Sequence, residues 1–470
     1  MNRKRAIFFY ILFDIVAALL VWLLFYIYRR ITNDMVLLGG DMEYYFVPNY
    51  SLLPSIISFP VVALSVHYLT GYYNTKVRHS RLVELFSTFI GTFFISTIIY
   101  FGMLVDDIVV SYTFYYRSFL ILWTMFFAVT YLFRITQTLI VLSRLRKGLI
   151  PNNVLIVGTG DTAHKVTGII HKDSSRNGLK VIGYIAVRDR VVIDEKLLLG
   201  RLNDLEQVVK SHIVNEVIIA VDNMDNDMIF SIANRLIACG VEVKFAPRLF
   251  EVVTGHVSFT NVTAEPLVDI TSSRMPAWQQ SIKRVFDITS SAIAMLLLSP
   301  VYLYVAIKVK LGSEGPIFYK QERIGYEGRP FMIYKFRTMY TDAERQGPQL
   351  SQVGDPRITP FGHIMRKYRL DELPQFWNII KGDMSIVGPR PERRYYIEQI
   401  ERIAPYYCLV YKVKPGLLSW GPIKIGYSDT VEKMVERLRY DIIYMDNMTI
   451  QTDIKILFYS IDVILRGKGQ

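Results

Sequence analysis

Apolar positions follow two patterns along this chain. In the first third they form four nearly unbroken runs, Ala6–Tyr28, Leu52–Tyr72, Leu82–Leu104 and Phe119–Leu142. Each is close to the roughly 20 residues an α-helix needs to cross a bilayer core. The basic start followed by an apolar run imitates a secretion signal, but the run continues to Tyr28 and no small-residue cleavage site follows. Arg3, Lys4 and Arg5 precede the first run, Lys76, Arg78 and Arg81 lie between the second and third, and Arg144, Arg146 and Lys147 follow the fourth. The connection between the third and fourth carries Asp106 and Asp107 instead. Basic connections stay on the cytoplasmic side. The pattern therefore predicts a four-helix anchor over residues 1–148, with the N-terminus and everything beyond Lys147 in the cytoplasm. Arg29 and Arg30 depart from that rule and are expected to snorkel to the interface. Asp14, near the start of the first run, is the nearest approach of an acidic residue to a run's centre, so the anchor reads as a mount rather than a transporter.

From Asn152 the period changes. Short apolar strands, Val154–Val157, Val181–Ala186, Val217–Val221 and Val241–Phe245, alternate with helical stretches toward Ile170 and near Leu202–Ser211 and Asp227–Cys239. Strands separated by helices predict a parallel, doubly wound, Rossmann-like sheet over 149–250. Its first turn holds Gly158, Gly160 and Ala163 in the spacing of a dinucleotide-binding turn. The acidic residue that would grip a ribose is not clear, Asp189 being a poor candidate, so a fold of nucleotide-binding type with a regulatory rather than a catalytic role is preferred over a working cofactor site. A polar, proline-bearing connector over 251–280 follows. The apolar stretch Ser281–Lys310 is interrupted by Ser299-Pro300, and an interior proline costs a straight helix about 3 kcal/mol. Lys283 and Arg284 before it and Lys308 and Lys310 after it suit a hairpin that enters the bilayer and returns to the same face. Beyond it, Ile317–Arg323 and Phe331–Thr338 read as strands around the turn Tyr326–Pro330, Tyr340–Pro356 as a polar loop, and Val431–Met445 and Ile450–Leu465 as amphipathic helices.

Composition sharpens this picture only in part. Hydrophobic residues make up 51% of the chain, and the formal charge of +12 suits a protein held against anionic lipid and handling phosphorylated substrates. Charge alone would also suit nucleic acid, for which no further signal exists. Two cysteines, Cys239 and Cys408, form neither a disulfide framework nor a zinc site.

The candidate chemistry is concentrated in Arg366–Pro391, RKYRLDELPQFWNIIKGDMSIVGPRP. Adjacent carboxylates, Asp371 and Glu372, sit among fixed cations, an arrangement suited to attack on a phosphate by one acid while the other holds a divalent cation. Arg366 and Arg390, with Lys335 and Arg337 from Tyr-Lys-Phe-Arg-Thr-Met, are the expected phosphate clamps. Two local structures are open. A continuous helix would align Leu370, Leu373, Phe376, Trp377 and Ile380 on one face; alternatively Pro374 opens a new helix and Asp371 precedes it.

Several motifs, taken in order, now make a specific match. They are the Ser299-Pro300 break, Lys335-Phe336-Arg337-Thr338-Met339, Leu370-Asp371-Glu372-Leu373-Pro374-Gln375, Gly382-Asp383-Met384-Ser385-Ile386-Val387-Gly388-Pro389-Arg390-Pro391, and Lys414-Pro415-Gly416-Leu417. From Ser281 to Gly469 the chain resembles the large monotopic phosphoglycosyl transferases, and its N-terminal spans and Rossmann-like domain resemble the longer architecture of that family. The resemblance implies a catalytic domain over 281–470 seated in one leaflet of a bacterial inner membrane, on its cytoplasmic face. It implies that Asp371 attacks the sugar-bearing phosphate of a UDP-sugar, that UMP leaves, and that polyprenyl phosphate collects the sugar phosphate. It also implies Mg2+ at Glu372 and phosphate contacts from Lys335, Arg337, Arg366, Asp383 and Arg390. Leu418-Ser419-Trp420-Gly421-Pro422 departs from the Thr-Gly-Trp-Ala-Gln of many relatives. A homodimer through the anchor is a further expectation. The competing readings are a membrane-tethered nucleotide-sugar oxidoreductase or dehydratase working through Gly158–Ala163, and a non-catalytic assembly scaffold.

Overall fold

The computed structural model describes residues 3–29, 31, 52–74, 81–104, 112–146, 152–177, 179–187, 195–222, 225–246, 267–269, 273, 275–345, 347–351, 354–426 and 429–465. The chain divides into two compact units, Met1–Ile150 with Pro276–Ile282, and Pro151–Met275 with Lys283–Gln470. Lys76, Arg78, Asp106, Asp107 and Lys147, together with Arg30 and Asp189, lie outside the described residues.

The first unit contains helices α1 (Arg3–Arg29), α2 (Leu52–Leu69), α3 (Arg81–Leu104) and α4 (Tyr112–Arg146). Three of them hold stretches long and apolar enough to cross a membrane, Ile7–Arg29, Glu84–Gly102 and Tyr115–Arg144. The apolar part of α2, Ser55–Leu69, is shorter and carries Pro60 inside the helix. Val21, Phe25, Phe59, Ala63, Ile95 and Phe126 pack at the centre, while large apolar side chains such as Phe8, Phe86, Phe101 and Leu132 face outward. An apolar exterior around an apolar centre is what lipid as solvent permits.

The centre is not purely apolar. Arg134 of α4 forms an ion pair with Asp14 of α1 at 2.9 Å and donates to Thr88 of α3 at 3.2 Å. Tyr73 donates to the same aspartate at 2.6 Å. Glu84 of α3 accepts from Tyr72 at 3.0 Å and from Thr138 of α4 at 2.6 Å. The Arg134 guanidinium also lies 3.6 Å from the centre of the Tyr72 ring. Besides Asp14, this buried cluster takes in Glu84, near the start of the third apolar run, and Arg134, toward the end of the fourth. Charges near the ends of separate apolar runs meet once the helices pack side by side.

In the second unit, a six-stranded sheet is ordered β3-β2-β1-β4-β5-β6. Its strands are β1 (Asn152–Val157), β2 (Leu179–Ala186), β3 (Leu198–Arg201), β4 (Glu216–Ile219), β5 (Glu242–Phe245) and β6 (Val268–Asp269). All neighbours pair in parallel except β6, which runs antiparallel to β5. Along β1, Leu155 and Val157 enter one core and Val154 and Ile156 the other. Burial on both faces is what a parallel sheet covered by helices requires; α5 (Asp161–Asn177), α6 (Leu205–Ser211) and α7 (Asn226–Ala238) supply the covering. Strand β3, Leu198-Leu199-Gly200-Arg201, is too short to stand out in the sequence. Strand β6 falls in the stretch expected to be a connector.

Helices α8 (Ala277–Leu297) and α9 (Ser299–Gly312) are bent by 63° to one another. The Ser299 hydroxyl donates to the Leu296 carbonyl at 2.8 Å, and Pro300 lies in the first turn of α9, where a missing amide proton is harmless. The antiparallel hairpin β7 (Phe318–Ile324) and β8 (Pro330–Phe336) follows. Next come α10 (Pro360–Lys367), the short helix α11 (Gln375–Lys381), β9 (Ser385–Val387), α12 (Arg394–Ile403), β10 (Gly416–Leu418), α13 (Trp420–Ile425), α14 (Val431–Asp446) and α15 (Ile450–Leu465). Met384, Ile386, Ile397, Ile400, Leu438 and Tyr444 form the core of this part. It joins the sheet through α7: Asn234 donates to the Pro405 carbonyl at 2.7 Å, Phe230 meets Tyr406 edge-on at 6.4 Å, and Cys408 is buried in the core beneath the sheet.

Candidate active site

The Asp371-Glu372 pair lies on a tight turn between two helices, and the sequence explains each bend. Thr359 caps α10 by accepting from the Gly362 amide at 3.0 Å, with Pro360 in its first turn. The helix ends before Arg369, which takes a left-handed backbone at φ 54°, a conformation costing a non-glycine residue about 1 kcal/mol or more. Leu370–Glu372 form one 3-10 turn, Pro374 precedes α11, and Gly382 closes that helix at φ 101°. The second of the two local structures open in the sequence is thus the one adopted. A continuous helix would drive the Pro374 ring against the Leu370 carbonyl four residues back. Leu370 and Leu373 instead turn down onto Val305, Val309, Phe336 and Met365, and Tyr302 donates to the Leu373 carbonyl at 2.5 Å.

This turn buries both carboxylates, Asp371 at 8% exposure and Glu372 at 6%, in unlike surroundings. Glu372 Oε1 accepts from Lys335 Nζ at 2.8 Å and from Arg390 at 3.3 Å, and Oε2 accepts from Arg369 at 3.2 Å. Asp371 makes no hydrogen bond or ion pair with its carboxylate among the described residues. Burial works to raise Glu372, yet Lys335, Arg390 and Arg369 outweigh it and hold this carboxyl well below the usual range. For Asp371 the balance reverses. Burial lifts its pKa above the ordinary value, the pull of Lys335 opposes that only in part, and the charge of Glu372 adds to the rise. The result is one carboxylate held by three cations beside one that accepts no hydrogen bond from the described residues.

The residues expected as phosphate clamps do not all arrive. Lys335 and Arg390 do, joined by Arg369. Arg366 donates instead to Thr338 at 3.0 Å and Ser351 at 2.8 Å, although its charge still lowers Asp371. Arg337 turns away: it donates to the carbonyls of Ser313, at 2.8 Å, and Glu314, just beyond α9. Strand β8 ends at Phe336, so the alternation that would put 335 and 337 on one face stops short of Arg337. Asp383 pairs with Lys381 at 3.1 Å and stands apart from the Glu372 ion pairs. Ser299 and Pro300 mark the bend between α8 and α9. Gly158, Gly160 and Ala163 belong to the parallel sheet, where β1 leads into α5.

Two further residues support the pair. Asn378 is fully buried, accepts from the Tyr334 amide at 3.1 Å and donates to the Met332 carbonyl at 2.7 Å, pinning α11 to β8. Asp441 accepts from the Arg390 amide at 3.3 Å, the Ser419 hydroxyl at 2.6 Å and the Gly421 amide at 3.1 Å. It thereby fixes Arg390 to the Leu418–Pro422 stretch, where the motif departs from the usual pattern. Neither residue could be singled out from sequence, since each acts on partners brought from distant segments.

Among the described residues, no three His, Cys, Asp or Glu side chains gather as a metal-binding group. The pair fits Mg2+ in a narrower way. This ion commonly takes one or two carboxylates and completes its octahedron with water and substrate phosphate, and Glu372 is an ionised hard-oxygen donor.

A family model described as bacterial sugar transferase matches residues 278–467, and one described as CoA-binding domain matches residues 68–247. A protein of Aeromonas hydrophila named UDP-N-acetylgalactosamine-undecaprenyl-phosphate N-acetylgalactosaminephosphotransferase is 36% identical over 254 residues, 53% of this chain and 59% of its own length. The UDP-glucose:undecaprenyl-phosphate glucose-1-phosphate transferase of Escherichia coli K12 is 33% identical over 264 residues, 56% of this chain and 57% of its own length. The chain thus spans somewhat over half the length of these two relatives. The exopolysaccharide production protein PSS of Rhizobium leguminosarum bv. phaseoli is 37% identical over 195 residues, 40% of this chain and 98% of its own length.

Proposed function

Because this chain belongs to the bacterial sugar transferase family, we propose that it transfers a sugar phosphate from a UDP-sugar to undecaprenyl phosphate through Asp371. The observation that carries the proposal is the unlike environment of the two buried carboxylates. In the first step an Asp371 carboxylate oxygen attacks the sugar-bearing phosphorus. The bond from that phosphorus to the bridging oxygen breaks, and UMP departs with the electron pair. Asp371 is left as an acyl phosphate carrying the sugar. In the second step a phosphate oxygen of the polyprenyl phosphate attacks the same phosphorus, and the carboxylate is released as polyprenyl-diphosphate-sugar forms.

Lys335, Arg369 and Arg390 hold Glu372 in place and surround the turn with positive charge, which offsets the repulsion between an attacking carboxylate and a diphosphate. Glu372 would hold Mg2+, which when bound supplies further neutralisation of the diphosphate. Asp371, having no fixed hydrogen-bond donors to leave, attacks without first breaking a bond within the protein.

Membrane placement follows the same reading. Lys283 and Arg284, near the start of α8, bond to the Val387 and Ile379 carbonyls at 2.9 and 2.6 Å. Tyr302, Val305 and Val309 of α9 return to the turn around Asp371. Both limbs therefore anchor in one folded unit, which supports a hairpin dipping into one leaflet rather than a full span. At the bend, Ile293, Leu296, Leu297 and Leu303 are exposed, as a lipid-embedded tip requires. With the four-span, basic-inside anchor expected from the sequence, the catalytic turn faces the cytoplasm of a bacterial inner membrane, where UDP-sugars are found.

The test is UMP release from a panel that includes UDP-glucose and UDP-N-acetylgalactosamine, with undecaprenyl phosphate and Mg2+, in wild type and Asp371→Asn. Release by wild type with at least about a thousandfold loss in the variant, the scale of removing a nucleophile, supports the route. Equal rates would refute it.

A further inference from the structure

We infer that the Gly158–Ala163 turn is filled by the side chain of Asp222 and holds no phosphate-bearing cofactor, coenzyme A included, so that the sheet acts as a ligand-independent brace. In a dinucleotide-binding turn, the glycines clear space for a pyrophosphate that settles on the amides opening the next helix. Here both glycines are accounted for by the protein itself. A Cβ on Gly158, at φ 129°, would fall 2.0 Å from the Ala220 carbonyl oxygen beyond β4, and one on Gly160 would fall 1.8 Å from Asp222 Oδ2. The amide of Thr162 at the start of α5 donates to Asp222 Oδ1 at 3.1 Å, and the Thr162 hydroxyl donates to the same oxygen.

A carboxylate thus occupies the anion position at the helix start. Partial burial works against its charge, but the bonds from Thr162 hold Asp222 below the usual carboxylate range. A phosphate entering this turn would meet a fixed like charge and would have to displace it from the amide that should receive the phosphate. Ala163 is fully buried beside the turn. This disagrees with the description of the family model matched over 68–247 as a CoA-binding domain. The sheet instead presents α7 to the 405–412 segment through Phe230, Asn234 and the buried Cys408, a role that asks for rigidity and no ligand.

Hydrogen–deuterium exchange on the full-length protein in detergent, read on peptides covering residues 158–170, tests this with coenzyme A and NAD+ as probes and no UDP-sugar present. The expected result is that neither probe at millimolar concentration changes exchange there in wild type. Asp222→Gly should exchange about tenfold faster in the same peptides with no ligand added, the size expected on losing a helix-capping side chain. Asp222→Asn, which keeps an acceptor, should lie between the two and guards against misfolding of the glycine variant. Slowed exchange in wild type on adding either probe would overturn the inference, as would unchanged exchange in both variants. Since the readout is local and involves no turnover, it is independent of the catalytic role proposed for Asp371.

Discussion

At Asp371 the raised pKa has two separable consequences. In the proposed route the attacking form is the carboxylate, so UMP release should fall on the acid side with a midpoint above the ordinary aspartate value of about 3.9, checked by single-turnover rates against pH. A midpoint below that value would contradict the picture of a desolvated nucleophile. Stability carries the opposite sign. A carboxyl raised in the folded state favours folding while protonated, and that advantage is lost as pH rises through the raised value. At neutral pH the buried charge is a cost, so Asp371→Asn should melt at or above the wild-type temperature while losing activity. Glu372 is depressed: its contribution is present above the unfolded value and is lost only as pH falls through the folded one. Glu372→Gln leaves Lys335, Arg369 and Arg390 without their anion and should lower stability by about 2–4 kcal/mol at neutral pH, measurable by denaturant unfolding. The contrast between the two variants is the signature expected here; adjacent residues serving one undifferentiated charged face would respond alike.

The site also depends on a few short elements. Turn α10–α11 holds its shape through Pro374, Gly382 and the buried amide of Asn378, whose bonds cross to β8. Asn378→Ala should cost about 2–3 kcal/mol through the orphaned Tyr334 amide and Met332 carbonyl. It should also lower the UMP release rate more than it raises KM, because the turn carrying Asp371 loses its support. A change in KM alone would argue against that positioning role. Much of this was legible in the chain. The strand-helix alternation from Asn152, the Ser299-Pro300 break and the Asp-Glu pair are local patterns, and local patterns survive folding. What escaped was set by contacts between distant segments. Arg337 looked like a clamp by its nearness to Lys335, but β8 ended one residue too soon. Arg369 lay in plain view among other cations, and only its left-handed backbone at φ 54° aims it at Glu372. Asn378 and Asp441 carry no motif of their own.

For the molecule as a whole, the membrane-facing unit is tied by the ion pair between Asp14 and Arg134, which links α1 to α4, with Glu84 and Thr88 of α3 beside it. Within an apolar bundle, breaking such a pair strands a charge. Asp14→Asn and Arg134→Gln should each lower the melting temperature in detergent, and the double variant should cost less than the sum of the two. Strict additivity would mean that the groups do not act as a pair. The proposed route through Asp371 rests on one covalent bond, between its carboxylate and the sugar-bearing phosphorus. Incubating the whole protein with its UDP-sugar in the absence of polyprenyl phosphate, then weighing it intact, tests that bond most directly. The account predicts a gain of one sugar phosphate per chain, mapped to the peptide containing Asp371, discharged on adding undecaprenyl phosphate and absent from Asp371→Asn. UMP release from wild type with no adduct, or an adduct on a different residue, would contradict it.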